Sequence, residues 1–282
     1  MRVALTGATG FVGRHLQAIL SDSGHDVISV PLSDRLSAPD PDALRLLLAP
    51  ALGADVVVNL AAALKPSTSV DLFVTADMPS ILARLLRDTG SDKRLIHVST
   101  ANVAIAALND LYTRAKRRAE AALSGMAVRI FRPGLIWSWR GEGPARIVDR
   151  YFRTRLPVHP FLHPGNCYRP ILVEDFAAFL AQEIAGMGTP AGTATTILGD
   201  TPCTLWELAQ GYAHLHGRRI AAVPCTGLAR LVPGPRLYES QALVQLLDID
   251  RATIPLDGSH VLLPFRLPER TSAALSSRHY RG

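Results

Sequence analysis

The sequence predicts an α/β protein built on a doubly wound parallel sheet, and three observations carry that prediction. Short apolar runs alternate with helical stretches through the first half of the chain, as they do where crossover helices join parallel strands. A glycine-rich turn, Gly7-Ala8-Thr9-Gly10-Phe11-Val12-Gly13, separates the first apolar run from the first helix. Beyond Pro133 the texture changes: Pro144, Pro157, Pro160, Pro164, Gly165 and Pro170 come in quick succession, and a smaller second lobe is expected.

Taken in order, Arg2–Leu5 is a short apolar strand. Phe11, Val12, Leu16, Ile19 and Leu20 recur at helical spacing, which predicts a helix over 11–20 that Gly24 ends. Val27–Val30 reads as the second strand and Asp42–Leu48 as a helix. Val56–Leu60, opened by Asp55, is a β-branched strand. Ser80–Arg87 is predicted helical and Leu95–Val98 extended. Tyr112–Leu123 follows Asn109 and Asp110, either of which can cap a helix, and Val128–Phe131 is the next strand. Past Pro133, helices are predicted over 144–153, 174–185 and 205–215. Ile171–Val173 and Thr195–Leu198 are expected to return to the first sheet. The tail from Leu262 through Pro268, with a helix from Thr271, reads as a packed carboxyl-terminal element.

Composition narrows the class. The 282 residues are 48% hydrophobic and 19% charged, enough for a substantial core and unlike a disordered chain. Mean hydropathy is +0.17, and no apolar run reaches the roughly 18 residues of a membrane span. The start, MRVALTGATG, has no basic, apolar and small-residue leader pattern, so a cytoplasmic location without membrane partners is expected. The net charge of +6 suits phosphorylated ligands or a solvated basic surface. Arg114, Lys116, Arg117 and Arg118 form the longest basic cluster. It is short and has few aromatic neighbours, so no nucleic-acid partner is expected. Cys167, Cys203 and Cys225 are widely spaced, as reduced thiols would be. His159 and His163 are separated by prolines, so no metal site is expected.

The glycine turn has a physical reading. Gly7 permits the tight turn, Gly10 lets the backbone approach a pyrophosphate, and Gly13 allows helix and strand to pack. The helix start then offers unpaired N–H groups and a positive dipole end to phosphates. Thr6-Gly7-Ala8-Thr9-Gly10-Phe11-Val12-Gly13 is similar to the TGxxGxxG fingerprint of extended and atypical short-chain dehydrogenases/reductases, the superfamily of the NAD-dependent epimerases and dehydratases. Asp55–Ala63 resembles that family's DVVIHLAA strand, Arg129–Gly134 its LRPG strand, and Arg169–Ala177 a later xxxVxDVA segment. The resemblance is specific over about residues 1–135 and thins afterwards. It implies a Rossmann-type NAD(P)-binding domain over 1–133. Residues 134–282 then form mainly a substrate-binding lobe, with some segments returning to the sheet. As cofactor contacts it implies Gly7, Thr9, Gly10, Phe11, Val12, Gly13, Leu60, Ala61, Ala62, Thr100, Tyr112, Lys116 and Pro133.

An acidic residue at the end of the second strand normally accepts hydrogen bonds from the adenosine ribose. Here that strand ends Val30-Pro31-Leu32-Ser33-Asp34-Arg35, with Pro31 in the acidic position. NADP is therefore favoured over NAD, with Ser33, Arg35 or Arg14 as partners for a 2′-phosphate.

Tyr112-Thr113-Arg114-Ala115-Lys116 matches the family's YxxxK, a spacing that puts both functional groups on one helix face. The resemblance makes Tyr112 the acid/base. Lys116 would lower the phenol's pKa and hold the nicotinamide ribose. Thr100, in His97-Val98-Ser99-Thr100, would polarise the reacting oxygen, with Ser99 as the alternative. Two departures from the family pattern stand out. The stretch between Thr100 and Tyr112 is short and apolar, and Phe73–Pro79 lacks the family's asparagine. Trp137, Arg140 and Arg169 are candidate substrate contacts, by stacking and by binding an anionic group. The activity implied is hydride transfer at a carbonyl or hydroxyl carbon, of a sugar or nucleotide-sugar, in a reductase or epimerase. The alternative is a non-catalytic NAD(P)-binding structural or sensor protein. Ala115, Ala119 and Ala122 form a small-residue stripe that would permit a homodimer.

Overall fold

Side-chain alternation along the strands decides the architecture. Val3 and Leu5, Val56 and Val58, Ile96 and Val98 fall on one face of a sheet, while Ala4, Val57 and Leu95 fall on the other. A sheet apolar on both faces must be covered by helices on both. The structure, a computed structural model, describes residues 1–32, 36–89, 94–146, 148–149, 159–161, 167–186, 192–217, 222–224, 254 and 259–268.

The strands are β1 (Arg2–Thr6), β2 (Asp26–Val30), β3 (Val56–Asn59), β4 (Arg94–Val98), β5 (Val128–Pro133), β6 (Ile136–Trp137), β7 (His159–Phe161), β8 (Cys167–Tyr168), β9 (Ile171–Leu172), β10 (Ala194–Gly199), β11 (Cys203–Thr204), β12 (Ala222–Pro224) and β13 (Ser259–Leu263). The helices are α1 (Phe11–Asp22), α2 (Pro41–Leu48), α3 (Ser69–Ala76), α4 (Met78–Asp88), α5 (Leu111–Leu123), α6 (Val173–Gly186) and α7 (Leu205–Leu215).

Among the described residues, seven strands form one parallel sheet in the order β2-β1-β3-β4-β5-β10-β13. The chain leaves β1 toward β2 and then crosses back to place β3 on β1's other side. The crevice at such a switch point, beyond the strands' carboxyl ends, is where open α/β sheets bind ligands. Leu16 and Leu20 of α1 and Phe176, Leu180 and Ile184 of α6 pack on one face. Leu44 and Leu48 of α2, Met78, Leu82 and Leu86 of α4 and Leu123 of α5 cover the other. A third cluster joins Trp137, Ala145, Val148, Leu208, Tyr212 and Phe265, all from beyond Pro133.

Several expectations are refined. Thr195–Leu198 lies in the central sheet as part of β10, but Ile171–Leu172 pairs with Ile136–Trp137 instead, although Ile171 still packs into the α1/α6 face. The last sheet strand, β13, comes from a segment that reads in sequence only as packed tail. Its exposed and half-buried positions (Ser259–Leu263) hide the apolar signal of a central strand. Helix α3 is an addition to the expected elements. Thr68 and Asp71 form its capping box, with Asp71 N donating to Thr68 Oγ1 at 3.1 Å and Thr68 N to Asp71 Oδ2 at 3.0 Å. Ala115 and Ala119 are buried inside the chain, where α5 meets α3 and α4. Ala122, the third member of the stripe, is half-buried. Of the expected 144–153 helix, residues 145–146 and 148–149 are described and helical, and the helix expected from Thr271 lies outside the described residues. Among the described residues no helix is long and apolar enough to cross a membrane.

Leu180 is fully enclosed, whereas Leu46 is 77% exposed. Leu180→Ala is expected to lower unfolding free energy by about 2–5 kcal/mol, and Leu46→Ala by no more than about 0.5 kcal/mol. Denaturant midpoints check this. A Leu180→Ala midpoint equal to wild type would contradict the packing of α6 on the sheet.

Candidate active site

The turn after β1 is shaped by what it excludes. Gly7 adopts φ +73°, and a Cβ there would lie 2.8 Å from Ala61 N. A Cβ at Gly13 would overlap the carbonyl oxygens of Gly7 and Ala8, so this glycine clears the loop's own backbone rather than the sheet. At Gly10 a Cβ would meet only Gly7 O, at 3.1 Å. Thr9 and Gly10 are exposed, and no side chain caps the first turn of α1. An open glycine cradle with uncapped helix N–H groups is an anion site in waiting, and a pyrophosphate fits its chemistry.

Beneath the cradle, three adjacent strands contribute one polar residue each to a single row. Thr6 is in register with Asn59, and Asn59 with His97. Thr6 Oγ1 donates to Asn59 Oδ1 at 2.6 Å, and Ala61 N donates to the same oxygen at 3.1 Å. Asn59 Nδ2 meets His97 Nδ1 at 3.0 Å. All three side chains are buried. The row links β1, which feeds the glycine turn, to Leu60-Ala61-Ala62 and to β4. Thr75 adds a second tie: its hydroxyl accepts from Ala63 N at 3.1 Å and donates to Asp71 O at 2.7 Å. Sequence reading singles out none of Asn59, Thr75 or His97, though Asn59 and His97 sit inside the two quoted motifs.

Helix α5 carries the expected pair. Asp110 caps it, accepting from Thr113 N at 3.0 Å and Thr113 Oγ1 at 2.6 Å. Lys116 is 1% exposed, and its Nζ donates to Val98 O at 2.8 Å, at the end of β4. The ammonium lies 6.0 Å from the ring centroid of Tyr112. Burial pulls Lys116 down to about 8, with Glu120 opposing the shift. Tyr112 is half-buried. Its phenol is pushed up from its ordinary value by burial first and by the charge of Asp110 second. This is opposite in sign to the expected lowering, because burial of the phenol and the charge of Asp110 both disfavour the tyrosinate. Thr100 Oγ1 accepts from Asn102 N at 3.3 Å, capping a short helical turn over Ala101–Ala104. That bond uses a lone pair and leaves the hydroxyl hydrogen to donate. Ser99 Oγ is buried without a partner among the described residues.

The short segment between Thr100 and Tyr112 is pinned by a residue that sequence reading passes over. The Arg117 guanidinium donates to Val103 O at 3.1 Å, Ile105 O at 2.6 Å and Leu108 O at 2.6 Å. Asp77, at the α3–α4 junction, pairs with Arg118 at 2.7 Å.

The lobe residues sort differently from one another. Trp137 is buried in the lobe core, edge-on to Trp139 at 5.7 Å, and offers no open ring face. The Arg169 guanidinium donates to Asp200 O at 2.9 Å and Gly199 O at 3.3 Å, tying down the turn after β10. Arg140 is exposed, 3.9 Å from Glu174. Pro133 is buried at the end of β5. Ser33 and Arg35 lie outside the described residues. Arg14 donates to Thr9 O at 3.0 Å and is 3.7 Å from Glu142, so its charge is already shared. Glu142 also meets His15 Nε2 at 3.1 Å, and Gly143, at φ +56°, lies against the Phe11 ring. The strand-following loop of the lobe therefore rests directly on the first turns of α1.

A parallel sheet with an open glycine cradle at its switch point is the architecture on which dinucleotide-binding α/β proteins are built. Residues 3–127 match the model of the NAD dependent epimerase/dehydratase family. No curated protein sequence matches the chain. Among solved structures, it is similar to a dTDP-4-dehydrorhamnose reductase from Clostridium acetobutylicum, with a TM-score of 0.68 and 19% identity over 83% of this chain and 86% of that one. A Thermus thermophilus UDP-glucose 4-epimerase complexed with NAD gives 0.66 and 19%, covering 94% and 91%. A Bacillus anthracis dTDP-4-dehydrorhamnose reductase in complex with NADP gives 0.66 and 16%, covering 80% and 84%. At these identities the likeness is one of fold.

Lys116 generates a stability prediction. Its pKa falls from 10.5 to about 8 on folding, so between those values the unfolded chain binds more protons than the native one and stability rises with pH. Below about pH 8 the burial penalty is fully present. Thermal denaturation of wild type and Lys116→Met is expected to show wild type gaining on the variant as pH climbs from about 8 to 10.5. A constant difference across that window would refute the depressed lysine.

Proposed function

We propose that the protein is an NAD(P)-dependent enzyme that catalyses hydride transfer at a carbonyl or carbinol carbon of a nucleotide-sugar. The observation that carries this reading is Lys116, buried with no carboxylate bonded to it among the described residues, tied to the end of β4 and one helical turn from Tyr112. Burying an unpaired ammonium costs stability, and perturbed groups of this kind cluster at functional sites. The glycine cradle, Leu60-Ala61-Ala62 and Pro133 would hold the dinucleotide, with Lys116 toward its nicotinamide ribose. When bound, the nicotinamide supplies or accepts the hydride.

The chain's own residues supply the proton chemistry. Tyr112, with its raised pKa, stays a phenol at neutral pH and is poised to donate a proton to a carbonyl oxygen. Thr100 would donate a hydrogen bond to that same oxygen. Lys116 would stabilise the tyrosinate left behind. A protonated phenol is the acid that the reductive direction needs, and the dTDP-4-dehydrorhamnose reductases among the fold neighbours support that choice of substrate class. NADP is favoured because Pro31 replaces the acidic residue that would repel a 2′-phosphate.

Fluorescence titration is expected to show NADPH binding tighter than NADH, with Arg35→Ala narrowing the gap. On a panel of dTDP- and UDP-linked keto-sugars, Tyr112→Phe should keep cofactor affinity and lose about 10²- to 10⁴-fold in kcat. Tight dinucleotide binding with no turnover on any member of the panel would instead make the protein a non-catalytic dinucleotide sensor.

A further inference from the structure

The buried row beneath the cradle has a polarity that can be deduced. Ala61 N–H can only donate, so the Asn59 atom it meets at 3.1 Å is the acceptor Oδ1, which also takes the Thr6 hydroxyl at 2.6 Å. The other end of the amide, Nδ2, is then a donor, and its partner at 3.0 Å, His97 Nδ1, must accept. An imidazole that accepts at Nδ1 and stays neutral carries its proton on Nε2. That Nε2 is enclosed and has no partner among the described residues. A merely packed aromatic would not need a lone pair at this point. The family's DVVIHLAA pattern has a histidine where this chain has Asn59. Here the imidazole comes from the neighbouring strand in the same register row.

We propose that His97 is a positioning residue. As the Nε2–H tautomer it fixes the Asn59 amide, and through Asn59 it holds the Thr6 hydroxyl and the Ala61 N–H, so that the glycine turn and Leu60-Ala61-Ala62 keep the spacing a dinucleotide requires. The geometry leaves little slack. Gly7 and Ala61 already approach so closely that a single added Cβ would stand 2.8 Å from Ala61 N. Burial, and behind it the charge of Lys116, hold the imidazole well below its ordinary range, which keeps the lone pair on Nδ1 available. The role in dinucleotide binding rests on the function proposed above; the tautomer does not.

The test has two independent arms. Long-range ¹H–¹⁵N spectra of the wild-type protein at about pH 7 should show His97 with an unprotonated Nδ1 and a protonated Nε2. A protonated Nδ1 overturns the proposal. In the second arm, NADPH affinity is measured by fluorescence for His97→Asn, His97→Gln and His97→Phe. In the first variant the amide oxygen of the introduced side chain can take the place of Nδ1, whereas the longer glutamine extends past it and phenylalanine has no acceptor. Loss of a buried partner predicts roughly tenfold weaker binding for His97→Phe and His97→Gln, with His97→Asn staying within about threefold of wild type. A packing role predicts the reverse order, since phenylalanine best keeps the volume, and that order would overturn the proposal. Should His97→Phe fail to fold, the wild-type spectrum and the other two variants still decide. A wild-type protein that binds neither NADPH nor NADH refutes the proposed function and with it the dinucleotide-spacing role, while the tautomer stands or falls on the spectrum.

Discussion

A sheet buried on both faces must satisfy the polar groups at its carboxyl edge from within, because water does not reach them. In this protein the row Thr6, Asn59 and His97, one residue from each of three neighbouring strands, meets that constraint for every polar atom of the row except His97 Nε2, among the described residues. Parallel pairing puts the three in register, and a one-residue slip of any strand would turn its member to the opposite face. The loops that leave those strands inherit their spacing from the row. The glycine turn can approach Ala61 because Gly7 has no Cβ, and Asn59 holds Ala61 in place from below. Everything proposed for the crevice stands on this edge.

The same enclosure sets the electrostatics above it. Lys116 is carried into the interior by α5 and finds a carbonyl, not a carboxylate, so its charge is costly and its pKa falls. Tyr112 is pushed the other way by burial and by Asp110, the residue that caps the helix on which it stands. Burial thus favours the neutral form of both groups, one turn apart: a lysine readier to lose its proton and a phenol slower to do so. The cap that starts the helix and the charge that raises the phenol are one carboxylate, so helix stability and site chemistry are coupled at Asp110.

Segments beyond Pro133 are tied to this frame at several points. Glu142 reaches His15 and Arg14 on α1, Gly143 lies on Phe11, and Arg169 holds the turn after β10. The carboxyl of Glu142 is held below its ordinary range chiefly by the His15 hydrogen bond. These contacts join the start of the lobe to the turn of α1 that faces the cradle. Arg117 does the corresponding work on the other side, fastening three carbonyls of the segment between Thr100 and Tyr112. The shortness of that segment is matched by a clamp, which accounts for how an apolar stretch without the family's longer loop can keep a fixed course.

What the sequence determined by itself is local and periodic. The alternation of strands and helices, the glycine turn, a cap at Asn109 or Asp110 and the Tyr112/Lys116 spacing all follow from residue type and period, because they are decided within one or two turns of chain. The pairing of the two-residue strand Ile171–Leu172, the edge strand Ser259–Leu263 and the short helix Ser69–Ala76 escaped, since each is too short or too polar on its outer side to show a period. The partners of individual side chains were decided only by tertiary structure. Trp137 became core, Arg169 a backbone clamp, and Lys116 an ammonium bonded to Val98 O, because burial and hydrogen-bond satisfaction depend on which strands lie side by side. Asn59 and His97 are 38 residues apart in sequence. Only the pairing of β3 with β4 brings them together, and no local rule could have assigned either its role.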